Sequence, residues 1–268
     1  MARVVTRFTA PRGSGPNLDA IAVGHRYAAV FDAATPKSDD LDGAQAAAAR
    51  LVAGLVDAVE RSTADDVDLL LGDLVGVAAD LAGSHRPAAA GALVDLHSHE
   101  VLVVSDTWVA IDGRATFFGH EFERHTSAIR RAVTLEHLAR GSTVDDLRGT
   151  DPGRAAVLSL LRWEPRLGNV DAEGEYFFGT LNGTPIPPRL LRRISPGPGA
   201  HSLVLATDGY PVLAPTLEGS EQALAEDVAA DPLRIGRHGG TKAVAPDAST
   251  FDDRAFLELD LTLPPDGA

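Results

Sequence analysis

Four aspartates stand where an apolar run begins or ends. Asp19 opens DAIAV (19–23), Asp32 lies at the end of the apolar run in YAAVFDAATPK (27–37), Asp208 follows the run in SLVLATDGYP (202–211), and Asp252 opens DDRAFLELDL (252–261). A carboxylate delivered to a strand tip is a hard oxygen donor, and several such tips on neighbouring strands can converge on one or two divalent cations such as Mg²⁺ or Mn²⁺. A cation pair of that kind acidifies water and turns it into a nucleophile. Cations that could steady an anionic substrate lie close by in sequence. Lys37 follows the Asp32 loop, Lys242 sits in GGTK (239–242), Arg254 comes two residues after Asp252, and Arg12 precedes the Gly-Ser-Gly stretch before Asp19. Lys37 is the preferred anchor, because Pro36 sets the backbone where the loop must turn and Arg12 would have to order a flexible stretch.

The elements that position these residues follow from periodicity. Residues 4–9, 19–23 and 26–32 read as a strand and a hairpin turning at Gly24-His25. Apolar positions Ala47, Leu51, Leu55 and Val59 recur at helical spacing over 43–61, and a second helix starts near Thr63 with acidic residues in its first turn. Strands return over 92–96, 101–111 and 114–118, the last two joined by Asp112-Gly113. Helices are expected over 121–140 and 155–162 and near 220–229, with strands over 175–181, 190–195, 201–207 and 254–262. Strands grouped in hairpins, with helices inserted in pairs, predict an α+β fold: a four-layer α-β-β-α sandwich of two antiparallel sheets flanked by helices. One domain over 1–263 is expected, followed by a disordered Pro/Asp/Gly tail over 264–268.

Composition narrows the function classes. The chain has 268 residues, 44% of them hydrophobic, enough to bury a sizeable core. With 38 acidic against 24 basic residues the net charge is −14. That makes a nucleic-acid backbone or an anionic membrane surface a poor partner. The absence of cysteine excludes disulfides, thiolate metal sites and cysteine nucleophiles. Neither a long apolar run nor a signal-peptide pattern is present, so the expected location is the cytoplasm. Oligomeric state has no sequence signal.

The order of these segments resembles the metal-dependent, type-2C protein phosphatases. The resemblance rests on NLDAIAV (17–23), YAAVFDAATPK, the Ala-rich helix pair, VLVVSDTWVAIDGR (101–114), LVLATDGYP (203–211) and FDDRAFLEL (251–259), and it covers nearly the whole chain. It implies hydrolysis of phosphomonoesters, with phosphoserine or phosphothreonine proteins, phosphopeptides or small phosphate esters as substrates. It further implies two Mg²⁺ or Mn²⁺ ions, with Asp32 bridging them, the carbonyl of Ala33 beside it, and Asp208 and Asp252 as further ligands. Asp19 matches the family's opening aspartate. Asp106 matches the aspartate associated in bacterial members with a third, looser metal. The family's Gly-x-Gly-Gly after the bridging aspartate is here AATPK, its opening glutamate is Leu18, its Gly-Asp-Ser is Ser105-Asp106-Thr107, and its phosphate-gripping arginine ahead of Asn17 is replaced by GSGP (13–16). These departures motivate an alternative in which the fold persists as a catalytically inactive phosphatase-like binding module.

Other motifs carry less. DLHSH (95–99) has the Asp-x-His-x-His pattern of amidohydrolase barrels, but the residues after it are too few for an eight-fold barrel, so His97 and His99 read as turn residues. In HEFERH (120–125) the two histidines at i and i+5 share no helical face, and the segment reads as a solvated helix start. An N-terminal-nucleophile hydrolase needs a freed Ser, Thr or Cys, for which no junction is evident. Substrate selection is expected in the segment 141–188, with Asn182-Gly183 turning a hairpin and Trp163 and Asn169 at the rim of the metal cleft.

Overall fold

In the computed structural model, which describes residues 1–34 and 37–262, the chain runs β1 (Arg3–Ala10), β2 (Asp19–Val23), β3 (Tyr27–Ala33), α1 (Leu41–Arg61), α2 (Val67–Leu81), β4 (Ala89–Asp95), β5 (Val101–Val104), β6 (Thr107–Ile111), β7 (Arg114–Phe117), α3 (Glu121–Ala139), α4 (Val144–Thr150), α5 (Pro152–Trp163), β8 (Arg192–Ile194), β9 (Ser202–Thr207), α6 (Leu217–Ala230) and β10 (Arg254–Asp260). The expectations for Pro36 and for the tail from Pro264 fall outside the described residues. The strands form two antiparallel five-stranded sheets, ordered β1, β10, β9, β6, β7 and β2, β3, β4, β5, β8. Helices flank them, as the α+β reading expects.

Period-2 alternation explains why the sheets stack. In β9, Leu203 and Leu205 face the second sheet while Val204 and Ala206 face outward, and in β3 Ala28 and Val30 face inward while Ala29 and Phe31 face the helices. The inter-sheet core joins Ala28, Val30, Val94, Val101 and Val103 to Val109, Leu203, Leu205, Leu257 and Leu259. On the other face of the second sheet, Leu51, Leu55 and Val59 of α1 and Leu70 and Leu74 of α2 pack on Phe31, Leu93 and Leu102. Each such side chain contributes about 1.5–3 kcal/mol on burial. Asp40 caps α1 by accepting from Gly43 N, and Asp66 caps α2 by accepting from the amides of Asp68 and Leu69. Against the outer face of the first sheet lie Leu224 of α6 and the loop residues Val244 and Phe251.

Three expected elements differ. The run 101–111 is two strands, because the chain leaves the second sheet after Val104 and enters the first at Thr107, turning through Ser105 at φ 57°. Residues 175–181 form no strand and make only single bridges, Leu181 to Ala89 and Phe178 to Gly168. Asn182-Gly183 turns no hairpin: Gly183, at φ +87°, lies where a Cβ would meet the backbone of Ala79 at 2.5 Å. Asp112 and Gly113 do turn the β6–β7 hairpin, with φ 48° and 77°, the positive pair a type I′ turn requires.

Candidate metal centre and its cleft

The two sheets bring the four aspartates to one end of the sandwich. Asp19 and Asp32 are direct register partners in the β2–β3 ladder, Asp208 leaves β9, and Asp252 stands just before β10 in the sheet that β9 shares. The Asp32 carboxyl lies close to those of both Asp19 and Asp208. Buried carboxyls this near one another are each harder to ionise, and a proton or a cation between them relieves the repulsion. Burial first, and then neighbouring carboxylates, push Asp19 up to about 8 and hold Asp32 and Asp208 well above the usual carboxylate range. The Thr207 hydroxyl opposes this in part by hydrogen bonding Asp19, and it also accepts the Ala255 amide at 2.8 Å.

Asp252 and its neighbour Asp253 have different duties. Asp253 is buried and accepts the amides of Arg12 and Leu18, each at 2.8 Å, pinning the segment that leads into β2. Asp252 faces Lys242, 2.6 Å from its ammonium, and Arg12, 4.0 Å away. Gly209 lets the two strand ends meet, since a Cβ there would lie 2.0 Å from the Asp253 carbonyl oxygen.

A cavity of about 30 Å³ lies among Asp19, Asp32, Ala33, Asp252 and Asp253, with Arg12 at its edge. That is room for one ion or water. Asp19 Oδ2 is buried with no hydrogen-bond partner. An orphaned carboxylate oxygen, an all-oxygen donor set and an ion-sized cavity fit a hard divalent cation.

Asp32, Asp208 and Asp252 also floor a larger cleft of about 750 Å³. Lys37 and Lys242 line it, but the Lys37 ammonium is held by Glu164, whose other oxygen lies 3.6 Å from His120 Nε2. Arg254 is elsewhere. It makes a two-pronged ion pair with Glu221, 2.7 Å at each contact, and lies over the Phe8 ring, because alternation along β10 turns it away from the aspartates. Arg12 lines the small cavity and not the cleft.

Several cleft residues escape the sequence reading. Arg154, in α5, and Arg234, whose guanidinium stacks on Phe251 at 3.2 Å, both line the cleft. Nothing in the spacing of a single loop arginine marks Arg234. The segment 120–125 held a usable signal, however: His120 and Glu123, at i and i+3, share a face. The structure corrects the solvated-helix-start expectation, since His120, at the N-cap position of α3, has its side chain only 6% exposed. It stacks on Phe178, with centroids 4.2 Å apart, and its Nε2 lies 3.4 Å from Asp106 Oδ2. Burial opposes its charge, but Asp106, Glu123 and Glu164 outweigh this and lift it to about 9. Burial, then Asp106, raises Glu123 to about 6.

The segment 161–189 does border the cleft, through Leu161, Glu164, Pro165, Phe178, Thr180 and Asn182 among others. Trp163 is 61% exposed and does not line it. Asn169 ties the segment together, donating to the Thr180 carbonyl at 2.8 Å and to Asn182 Oδ1 at 3.0 Å. His97 and His99 belong to the turn between β4 and β5. No helix among the described residues is long and apolar enough to cross a membrane.

Comparison with known proteins returns similarity at the level of structure only. No family model matches the sequence, and no curated protein matches it. Among solved structures, the chain is similar to the Mycobacterium tuberculosis serine/threonine phosphatase PstP/Ppp, at 16% identity over 97% of this chain and 98% of that one, with a TM-score of 0.46. It is similar to a bacterial serine phosphatase at 11% identity over 98% of each chain, with a TM-score of 0.49. It is likewise similar to the PPM Ser-Thr phosphatase MsPP from Mycobacterium smegmatis, solved with cacodylate, at 20% identity over 96% of this chain and 98% of that one, with a TM-score of 0.42.

Proposed function

We propose that the chain is a divalent-metal-dependent phosphomonoesterase acting on phosphorylated proteins, phosphopeptides or small phosphate esters. The supporting observation is the gathering of Asp19, Asp32 and Asp252 around an ion-sized cavity, with the Asp19 Oδ2 buried and unpartnered, beside a cleft that Asp32, Asp208 and Asp252 also line and that carries guanidinium groups. Mg²⁺ or Mn²⁺ held there would supply Lewis acidity and lower the pKa of a water to the range where it attacks phosphorus. The chain's own residues would do the rest. Asp32, between its two neighbours, is placed to be the shared ligand, with the Ala33 carbonyl next to it and Asp19, Asp208 and Asp252 completing the donor set. Arg154, which gives Nη1 to the Thr241 carbonyl, and Arg234, which gives Nε and Nη2 to the His238 carbonyl, line the cleft and would turn their remaining N–H groups to phosphoryl oxygens, and Lys242 adds a point charge beside Asp252.

That last ion pair also favours a second reading. A protein ammonium 2.6 Å from Asp252 already balances one of the ligands, as would suit a fold that binds a phosphorylated partner without turning it over. The two readings part on one experiment. Chelator-treated protein is assayed with p-nitrophenyl phosphate with and without Mn²⁺, beside Asp208→Asn. Mn²⁺-dependent turnover that the variant loses supports the enzyme; no turnover in the unmodified chain, with phosphate binding retained, supports the binding module.

A further inference from the structure

We propose that Asp106, His120 and Glu123 form a second, chemically different cation site, one that takes a first-row transition-metal dication such as Zn²⁺. One ligand atom from each lies within 4.8 Å of the other two. The donors come from the turn between β5 and β6 and from the start of α3, not from the strand ends that carry the four aspartates. Each is oriented before any ion arrives. The turn at Ser105, φ 57°, aims Asp106, and the Ser105 hydroxyl donates to Asp106 Oδ2 at 3.0 Å while Oδ1 is buried without a partner. Phe178 stacks on the His120 ring at 15° and fixes its plane, and His120 Nδ1 is likewise buried and unpartnered. The i, i+3 spacing puts Glu123 on the same face of α3.

Charge and donor type select the ion. The carboxylates of Asp106 and Glu123 meet one imidazole, and Glu164, whose Oε1 lies 3.6 Å from His120 Nε2, is itself balanced by the Lys37 ammonium. The positive end of α3 disfavours a cation here, by up to about 1 kcal/mol, which two carboxylates exceed. One nitrogen and two oxygens suit zinc and its neighbours better than Mg²⁺, which seeks an all-oxygen shell, and three protein ligands leave a position open toward the cleft. The resemblance to the type-2C phosphatases associates Asp106 with a third, looser metal; an imidazole ligand and a carboxylate from α3 make a site of different selectivity.

The test uses the full chain, stripped of metal, in an Asp32→Asn background that disables the four-aspartate cluster. Zinc alone is titrated by calorimetry. The expected result is one Zn²⁺ per chain, with affinity falling at least about 100-fold when His120→Gln is added. Independently, Mn²⁺ bound to the Asp32→Asn chain with His120 intact should show imidazole ¹⁴N modulation in pulsed electron paramagnetic resonance, a reading that does not depend on how the His120 variant folds. No stoichiometric zinc, zinc affinity unchanged by His120→Gln in a protein of native circular dichroism, or no nitrogen modulation each overturns the site in favour of a metal-free Asp-His-Glu ion pair.

Discussion

At the residue scale, what was legible depended on whether a side chain announces its neighbours in sequence. An apolar run ending in aspartate does, because a strand must stop somewhere and its tip is a natural place for a polar ligand, and the structure gathers Asp19, Asp32, Asp208 and Asp252 at one end of the sandwich. A lone cation does not. Lys37 precedes the acid it binds, Glu164, by more than a hundred residues, and Arg254 is claimed by Glu221. The phosphate clamp is therefore expected to rest on Arg154 and Arg234. Arg234→Ala should lower kcat/KM for a phosphomonoester by roughly 10²-fold, the scale for losing one charged transition-state contact. Lys37→Ala, which mainly releases Glu164, should change it less than about tenfold. Steady-state kinetics at saturating Mn²⁺ decide the order, and a larger loss in Lys37→Ala than in Arg234→Ala would return the clamp to the Asp32 loop.

At the scale of elements, the strands and helices with clean periodicity were readable, and the errors cluster where the chain changes layer. VLVVSDTWVAI looks like one strand because only Ser105-Asp106 interrupts it, yet that dipeptide carries the chain from one sheet to the other. EYFFGTL is rich in strand formers, but Phe178 serves the cleft wall and the backbone finds only single bridges. The loop 231–243 has no periodicity at all and is held by a residue that no pattern flags. Arg130, fully buried in α3, pairs with Asp151 at 3.0 Å and donates to the carbonyls of Leu233, Arg234 and Gly240. Asp151 in turn caps α5 through Arg154 N and accepts Ala243 N. One guanidinium thus positions Arg154, Arg234 and Lys242 together. Arg130→Ala takes the charged partner from Asp151, which keeps only its two backbone amides, and leaves three carbonyls without this donor, and should cost about 3–5 kcal/mol. Urea denaturation measures this, and a loss below about 1 kcal/mol would show that the loop is held by other contacts.

At the scale of the whole molecule, the fold tolerates a buried acidic cluster in a chain already carrying −14, and the consequence is a coupling between pH, metal and stability. Folded Asp19 keeps its proton up to about 8, whereas the unfolded chain loses it near 3.8. Between those values the folded state binds more protons than the unfolded one, so the stability of the metal-free protein falls as pH rises. Asp32 and Asp208, raised for the same reasons, act in the same direction. His120 does too: its folded value of about 9, above the ordinary 6.5, makes its contribution full below about 6.5 and lost as pH passes 9. Each group can contribute up to about 1.4 kcal/mol per pH unit, a large share of a total of about 5–15 kcal/mol. A divalent cation replaces those protons, so its stabilisation should grow with pH. Thermal melts in chelator should therefore show Tm falling from pH 5 to 8, the fall shallower in Asp19→Asn, and the Tm gain from saturating Mn²⁺ should be larger at pH 8 than at pH 6. A metal-free Tm that is flat or rises across this range would mean that the carboxyls lie farther apart in solution, each hydrated and ionised, and that the strand ends close on one another only when an ion draws them in.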